Sequence, residues 1–299
     1  MVDQCRRAIA ALTMAGTLAA SCSGLPGQSR VTPQTPVRPL SHAAYQAQLT
    51  AASNLIGGAL DRVAGAGSPD VLATALADAG ATSPRAANVL SEGLPPADVY
   101  DSTGRFVLHL RLLGDELQSL VDQAQSFKLC GGPSAMAALS ALDHAQKLRA
   151  ASQEVAAHGY QVRDLIPPET PLPDRHAANS SLLLDMPDRG DGPELAVDNG
   201  TGEDGMVTVL RDGSPRLALY VTAHATASVP GIPNGSYAIF FTQGQDWDAG
   251  LKAFTRSCSF ESFDKPLQFD GTTNWTVGLK PTANGFPTHR VAPKDYPKV

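Results

Sequence analysis

Apolar residues recur at three- and four-residue steps through the first half of the chain, and in short alternating runs through the second. Tyr45, Leu49, Ala52, Ile56, Leu60 and Val63 form the first stripe, behind Ser41 as a cap. That spacing lays them on one face of a helix. Ser68-Pro69 and Ser83-Pro84 each set a proline at a first helical position behind a serine, which predicts two shorter helices. Pro95-Pro96 breaks the chain. Phe106, Leu110, Leu113, Leu117, Leu120 or Val121, Ala124 and Phe127 mark the strongest helix, over about 101–127. Cys130-Gly131-Gly132-Pro133 makes a turn, and a final helix from about Ser134 carries Leu139, Leu142, Leu148 and Val155 to a stop at His158-Gly159. Residues 40–166 therefore read as an antiparallel helical bundle.

Prolines at 167, 168, 171, 173 and 187 change the character of the chain, and residues 167–194 read as a Pro/Gly-rich linker. From 195 to 299 short β-branched and aromatic runs alternate with turn residues. The expected strands are Leu195–Val197, Met206–Leu210, Leu217–Val221, Ala225–Val229, Tyr237–Thr242 and Trp275–Leu279. Asn199-Gly200, Asp212-Gly213 and Asn234-Gly235 are the turn signals between them. This pattern predicts an antiparallel, Ig-like β-sandwich. The fold class is α+β, in two domains.

The N-terminus adds an address. Arg6-Arg7 precede an apolar stretch from Ala8 to Ala20, too short to span a bilayer but of the length of a signal segment. Leu18-Ala19-Ala20-Ser21-Cys22 resembles the lipobox of bacterial lipoproteins, although Ala19 stands where that motif usually has Leu. The resemblance implies a signal peptide over 1–21 and lipidation of Cys22, whose acyl chains anchor the protein to the membrane. Ordinary signal cleavage near Ala20 is the alternative. Residues 22–39, rich in Gly, Ser, Gln, Thr and Pro, bury too little to fold and read as a tether. The expected location is extracytoplasmic, on the cell membrane.

Composition narrows the function classes. Lys and Arg number 23 against 29 Asp and Glu, a net charge of -6, which speaks against a nucleic-acid partner. Of the four cysteines, Cys5 lies in the signal peptide and Cys22 in the lipobox, leaving Cys130 and Cys258. In an oxidising compartment such a pair invites a disulfide between the two domains. Two buried thiols, or Cys130 as a nucleophile activated by the following helix, are the alternatives. His109, His144 and His158 lie on helices, but no two are three or four apart and no Glu-x-x-His accompanies them. Solvated or packed histidines are the expectation, with no metal site and no cofactor.

Trp247 between Asp246 and Asp248 is the most suggestive cluster for ligand contact. An exposed Trp stacks on a sugar ring while flanking carboxylates bind its hydroxyls. The competing reading makes Trp247 a packing residue and the two Asp turn caps, and it carries the greater weight. Arg189-Gly190-Asp191 matches an adhesion tripeptide, for which a charged, Gly-rich linker is the plainer account. Catalytic signatures are missing: no Gly-x-Ser-x-Gly, no His-Glu-x-x-His and no phosphate-binding loop.

One further resemblance rests on an ordered series. It runs from Asp198-Asn199-Gly200-Thr201 through Leu219-Tyr220-Val221 and Ile232–Phe241 to Gly244–Asp248, Lys252–Arg256 and Phe263–Phe269. This series is similar to an uncharacterised β-sandwich module at the C-terminus of bacterial membrane-attached and lipid-anchored proteins, and it brings no catalytic residue with it. The helical half more loosely resembles lipoproteins of high-G+C Gram-positive bacteria. The resulting expectation is a non-catalytic binding or scaffolding protein of the cell envelope, partnered by the membrane and by an envelope protein or cell-wall glycan. A carrier using an interdomain cleft, and a glycan-active enzyme, are the alternatives.

Overall fold

A computed structural model describes residues 38–280 and 285–299. The signal peptide, Cys22 and nearly all of the tether lie outside the described residues. Arg38–Val299 form one compact unit of class α+β. Its helices are α1 (His42–Ala64), α2 (Pro69–Leu90), α3 (Tyr100–Gln125), α4 (Gly132–Ser140) and α5 (Asp143–Ala157). Ser41 caps α1 by accepting a hydrogen bond from the Ala44 amide, and the expected stripes of α1 and α3 are buried in one shared apolar core, except Phe127, which lies past the end of α3 and packs with the sheet side.

Two expectations for the helices fail. Pro84 does not start a helix; it lies inside a continuous α2. A proline in that position takes the hydrogen-bonding partner from the carbonyl four residues back, that of Gly80. Here that carbonyl and the proline ring lie against Gly114 of α3, where a Cβ would sit only 3.0 Å from the Gly80 oxygen and 3.4 Å from the Pro84 ring. Ser83 also donates to the Leu110 carbonyl across the same contact, at 2.5 Å. Tertiary packing keeps the helix whole. The expected final helix is instead two, because Leu142 is extended (φ -68, ψ 140) and α5 restarts after it. Glu116 of α3 accepts from the His144 amide at 3.0 Å, capping the new start from a distant part of the chain.

Among the described residues ten strands follow: β1 (Leu182–Leu184), β2 (Leu195–Asp198), β3 (Asp204–Arg211), β4 (Ser214–Val221), β5 (Thr226–Val229), β6 (Gly235–Asp248), β7 (Ala253–Phe263), β8 (Leu267–Phe269), β9 (Trp275–Gly278) and β10 (Thr288–Arg290). The main sheet has the order β1-β4-β3-β6-β7-β10, with β8 also paired to β6, and a smaller sheet runs β5-β2-β9. All pairs are antiparallel except β2 with β9, which is parallel. The wholly antiparallel sandwich expected from the strand spacing is therefore corrected at this pair. Asp212 and Gly213, both with positive φ, make the tight β3–β4 turn that their sequence signals. The long strand β7 was not expected, because Thr255, Arg256, Ser257, Ser259 and Glu261 interrupt its apolar pattern.

Alternation along the strands gives the main sheet two covered faces. Val207, Val209, Leu217, Leu219, Ile239 and Phe241 share a core with the smaller sheet. Met206 and Tyr220, on the opposite face, pack with Trp247, Phe254, Cys130 and Cys258. Burial on both faces leaves β3 covered along almost its whole length, and its middle is apolar but for Thr208. The segment expected to be a linker lies on the sheet: Ser180 and Ser181 exchange backbone hydrogen bonds with Tyr220, and β1 follows at once.

Candidate functional site

The junction of helices and sheet is built from the turn after α3. Phe127, with φ of 60°, leads the chain out of the helix. The turn then pairs with β7: the amides of Cys130 and Gly131 donate to the Thr255 carbonyl at 2.7 and 3.1 Å, and the Cys258 amide donates to the Phe127 carbonyl at 3.0 Å. Cys130 and Cys258 are joined by a disulfide, with Cα atoms 6.3 Å apart and a separation of 128 positions in sequence. Of the three fates open to this pair, the structure has the bond. Closing a loop of that size stabilises by about 4–5 kcal/mol where chain entropy dominates.

Asp246, Trp247 and Asp248 sit next to this junction, and they are turned inward. Asp246 takes a positive φ (56°) beside a bulge in the β6–β7 pairing, which aims its carboxylate into the protein. Its side chain is fully buried. The carboxylate accepts from the Arg175 amide at 3.0 Å, from Arg175 Nε and a terminal nitrogen at 2.7 Å each, and from the Thr255 hydroxyl. Thr255 in turn meets Ser134 at the start of α4, at 2.5 Å. Burial alone would raise the Asp246 pKa, but the Arg175 and Thr255 hydrogen bonds prevail and hold it below the usual carboxylate range. Asp248 accepts from the remaining Arg175 nitrogen at 2.7 Å. Trp247 is 3% exposed and packs edge-on to Tyr220 and Phe254, with centroids 5.3 and 5.1 Å away. It offers no open face to a sugar ring. This trio is the anchor for the segment around Arg175, and the packing reading of Trp247 fits the structure.

The next residue along repeats the device. His176 Nδ1 lies 2.6 Å from Asp204 Oδ2, and the buried Asp204 also accepts from the Tyr220 hydroxyl and, at 2.8 Å, from the Ala223 amide. These bonds outweigh desolvation and keep Asp204 ionised below its ordinary range, while Asp204 raises the His176 pKa. Sequence reading missed Arg175, His176 and Asp204. Their partners are 16 to 73 residues away, and no spacing rule connects them. Arg189 of the adhesion-like tripeptide is paired with Asp185, and Gly190 is hydrogen-bonded to Gly231.

An open cleft of about 330 Å³ lies at the same junction. The segment leading into α2 (Gly67–Val71) forms one wall, strands β3, β6 and β7 another, and the C-terminal segment from Pro293 a third. Met206, Leu251, Phe254 and Phe260 make the lining largely apolar, and the exposed Lys252 and Lys298 contribute to it from the surface. Tyr296 braces the C-terminal segment, its ring edge-on to Phe240 and Phe260 and its hydroxyl 3.2 Å from Thr208.

Of the three helical histidines, His158 stands apart at the end of α5, while His109 and His144 meet with their Nδ1 atoms 3.3 Å apart. Burial, then the neighbouring His144, lowers the His109 pKa. Among the described residues no helix is long and apolar enough to cross a membrane. Compared with known proteins, the chain matches no family model, no curated protein and no solved structure.

Two measurements check these roles. Arg175→Ala leaves the Asp246 carboxylate buried without its cation and is expected to cost about 2–4 kcal/mol in urea unfolding, the guanidinium being partly solvated already. Asp248→Asn, which keeps an oxygen for the Gly250 and Leu251 amides that Asp248 caps, should cost only about 1 kcal/mol, and equal losses would contradict Asp246 as the anchor. His176 stabilises the fold fully below its unfolded pKa of about 6.5, and that contribution disappears as pH rises through its raised folded value. The melting temperature of His176→Gln should therefore lie below wild type by about 2–3 °C near pH 6 and converge with it as pH rises through the raised folded value. A gap that is constant with pH would exclude the ion pair as its cause.

Proposed function

We propose that this is an exported, lipid-anchored protein of the cell envelope that acts as a non-catalytic binding module, with the cleft between α2 and the main sheet as its binding site. In this reading the helices work as a bundle and the two sheets as an Ig-like sandwich, with the ligand held where they meet. The cleft is the observation that carries the proposal. Its volume falls at the lower end of ligand pockets, about 300–1,000 Å³. An apolar lining with two exposed lysines suits a small molecule or lipid fragment with an apolar body and an anionic end. The disulfide supports the same reading, since Cys130 is part of the lining and the bond ties it to β7, which forms part of one wall of the cleft. The anchor rests on the lipobox-like Leu18–Cys22 and the tether behind it. Glycan hydrolysis by Asp246 and Asp248 is disfavoured, because Arg175 holds both carboxylates.

Two experiments test the two halves of the proposal separately. Cys22→Ala should move the protein from the membrane fraction of expressing cells to the soluble fraction, and unchanged fractionation would refute lipid anchoring. Anilinonaphthalene sulfonate, an apolar anion of suitable size, should bind the folded wild type at one site with a rise in fluorescence. Ala253→Trp fills the cleft and should weaken that binding at least tenfold at unchanged melting temperature. Equal binding by the two proteins would rule out the cleft.

A further inference from the structure

We propose that His109, Glu116, Asp143 and His144 form a binding site for a Zn²⁺-class divalent ion where the start of α5 meets α3. Two elements assemble it. His109 and Glu116 are seven residues apart on α3, two turns along one face of the helix. Asp143 and His144 open α5, and the break at Leu142 is what presents them to α3.

The geometry is that of a ligand set. A Zn–N bond of about 2.0–2.1 Å in a tetrahedron places two ligand nitrogens about 3.3–3.4 Å apart. His109 Nδ1 and His144 Nδ1 are 3.3 Å apart, with their rings near-parallel. One ligand atom each from Glu116, Asp143 and His144 lie within 4.8 Å of one another, and Asp143 Oδ2 is 3.7 Å from His144 Nδ1. Two imidazole nitrogens and two carboxylate oxygens suit Zn²⁺, Co²⁺ or Ni²⁺, while Ca²⁺ and Mg²⁺ call for an all-oxygen shell. His109 reaches His144 but lies outside the 4.8 Å group of the other three, so closing a tetrahedron on the ion takes side-chain movement of more than an ångström, which the bonds holding the two carboxylates allow. Asp143 is held by Lys147 in an exposed pair, which costs little to release. Glu116 uses Oε2 to cap α5, leaving its other oxygen free to bind. The side chain of His144 is 24% exposed, so the ion would exchange with solvent and not be locked in a core. Bound there, it ties α3 to α5 at the point where the last helix breaks.

The test uses the tag-free folded chain. Co²⁺ should bind at a 1:1 ratio with a visible absorption band of tetrahedral intensity, Zn²⁺ should displace it, and Zn²⁺ should raise the melting temperature. His109→Ala and His144→Ala should each weaken Co²⁺ binding at least tenfold, while His158→Ala, at the far end of α5, leaves it unchanged. Asp143→Asn keeps the shape of the side chain and should also weaken binding, so the test does not depend on variants that disturb packing. Binding that survives loss of both His109 and His144, a weak octahedral-type spectrum, or a preference for Ca²⁺ over Zn²⁺ would each overturn the proposal. A 3.3 Å contact that is only a hydrogen bond between neutral imidazoles would show as no Co²⁺ band at all.

Discussion

The structure depends on the pairing of the turn at Phe127–Gly131 with strand β7. Without it the helices and the sheets would be two cores connected by a polypeptide. With it, the sheet gains hydrogen bonds from the helical half, and Ser134 reaches Thr255 at the start of α4. Gly132 makes the approach close enough. Its amide donates to the Ala66 carbonyl at 2.8 Å, and a Cβ at that position would stand 2.0 Å from the Ala64 oxygen. The cleft, the disulfide and the buried Asp246 all gather around this contact.

Buried charge is used here to fix position. Asp246 and Asp204 are both removed from water, and each is compensated by several donors, including a neighbouring residue of the segment around Arg175 and His176. A chain with few regular elements between Tyr160 and β1 is in this way held against the sheet as firmly as a strand. The cost of burying a carboxylate makes such an arrangement selective. Any other register of the segment would leave Asp246 or Asp204 unpaired.

Much of the architecture was legible in the amino-acid pattern, and the failures share a cause. The stripes of α1 and α3, the α+β class and the Asp212-Gly213 turn follow from local periodicity and turn chemistry. Pro84 inside α2 and the break at Leu142 do not, because each is decided by a residue far away in sequence, Gly114 and Glu116, and strand β7 does not, because polar residues interrupt its apolar pattern. The same holds for the candidate sites. Trp247 and its flanking aspartates drew notice as a cluster, yet their partner Arg175 is more than seventy residues earlier. His109 and His144 looked isolated because spacing rules see one helix at a time, whereas the two meet across a pair. The choice between disulfide and free thiols also needed the fold, which alone brings residues 130 and 258 within bonding distance.

The position of that disulfide also sets an order of events. Cys130 belongs to the half of the chain that emerges first, and helices with mostly local contacts form quickly. Its partner arrives only after β6 and β7 have been made, and the two sulfurs meet where β7 docks on the turn. The hydrogen bonds of the docked turn and the covalent bond hold the same arrangement, so either one favours the other. Both sulfurs then lie almost wholly out of solvent, Cys130 at 1% and Cys258 at 6% exposure. The finished molecule is thereby shielded from the thiols that could undo it, while an unfinished one still carries an accessible cysteine that marks it as incomplete.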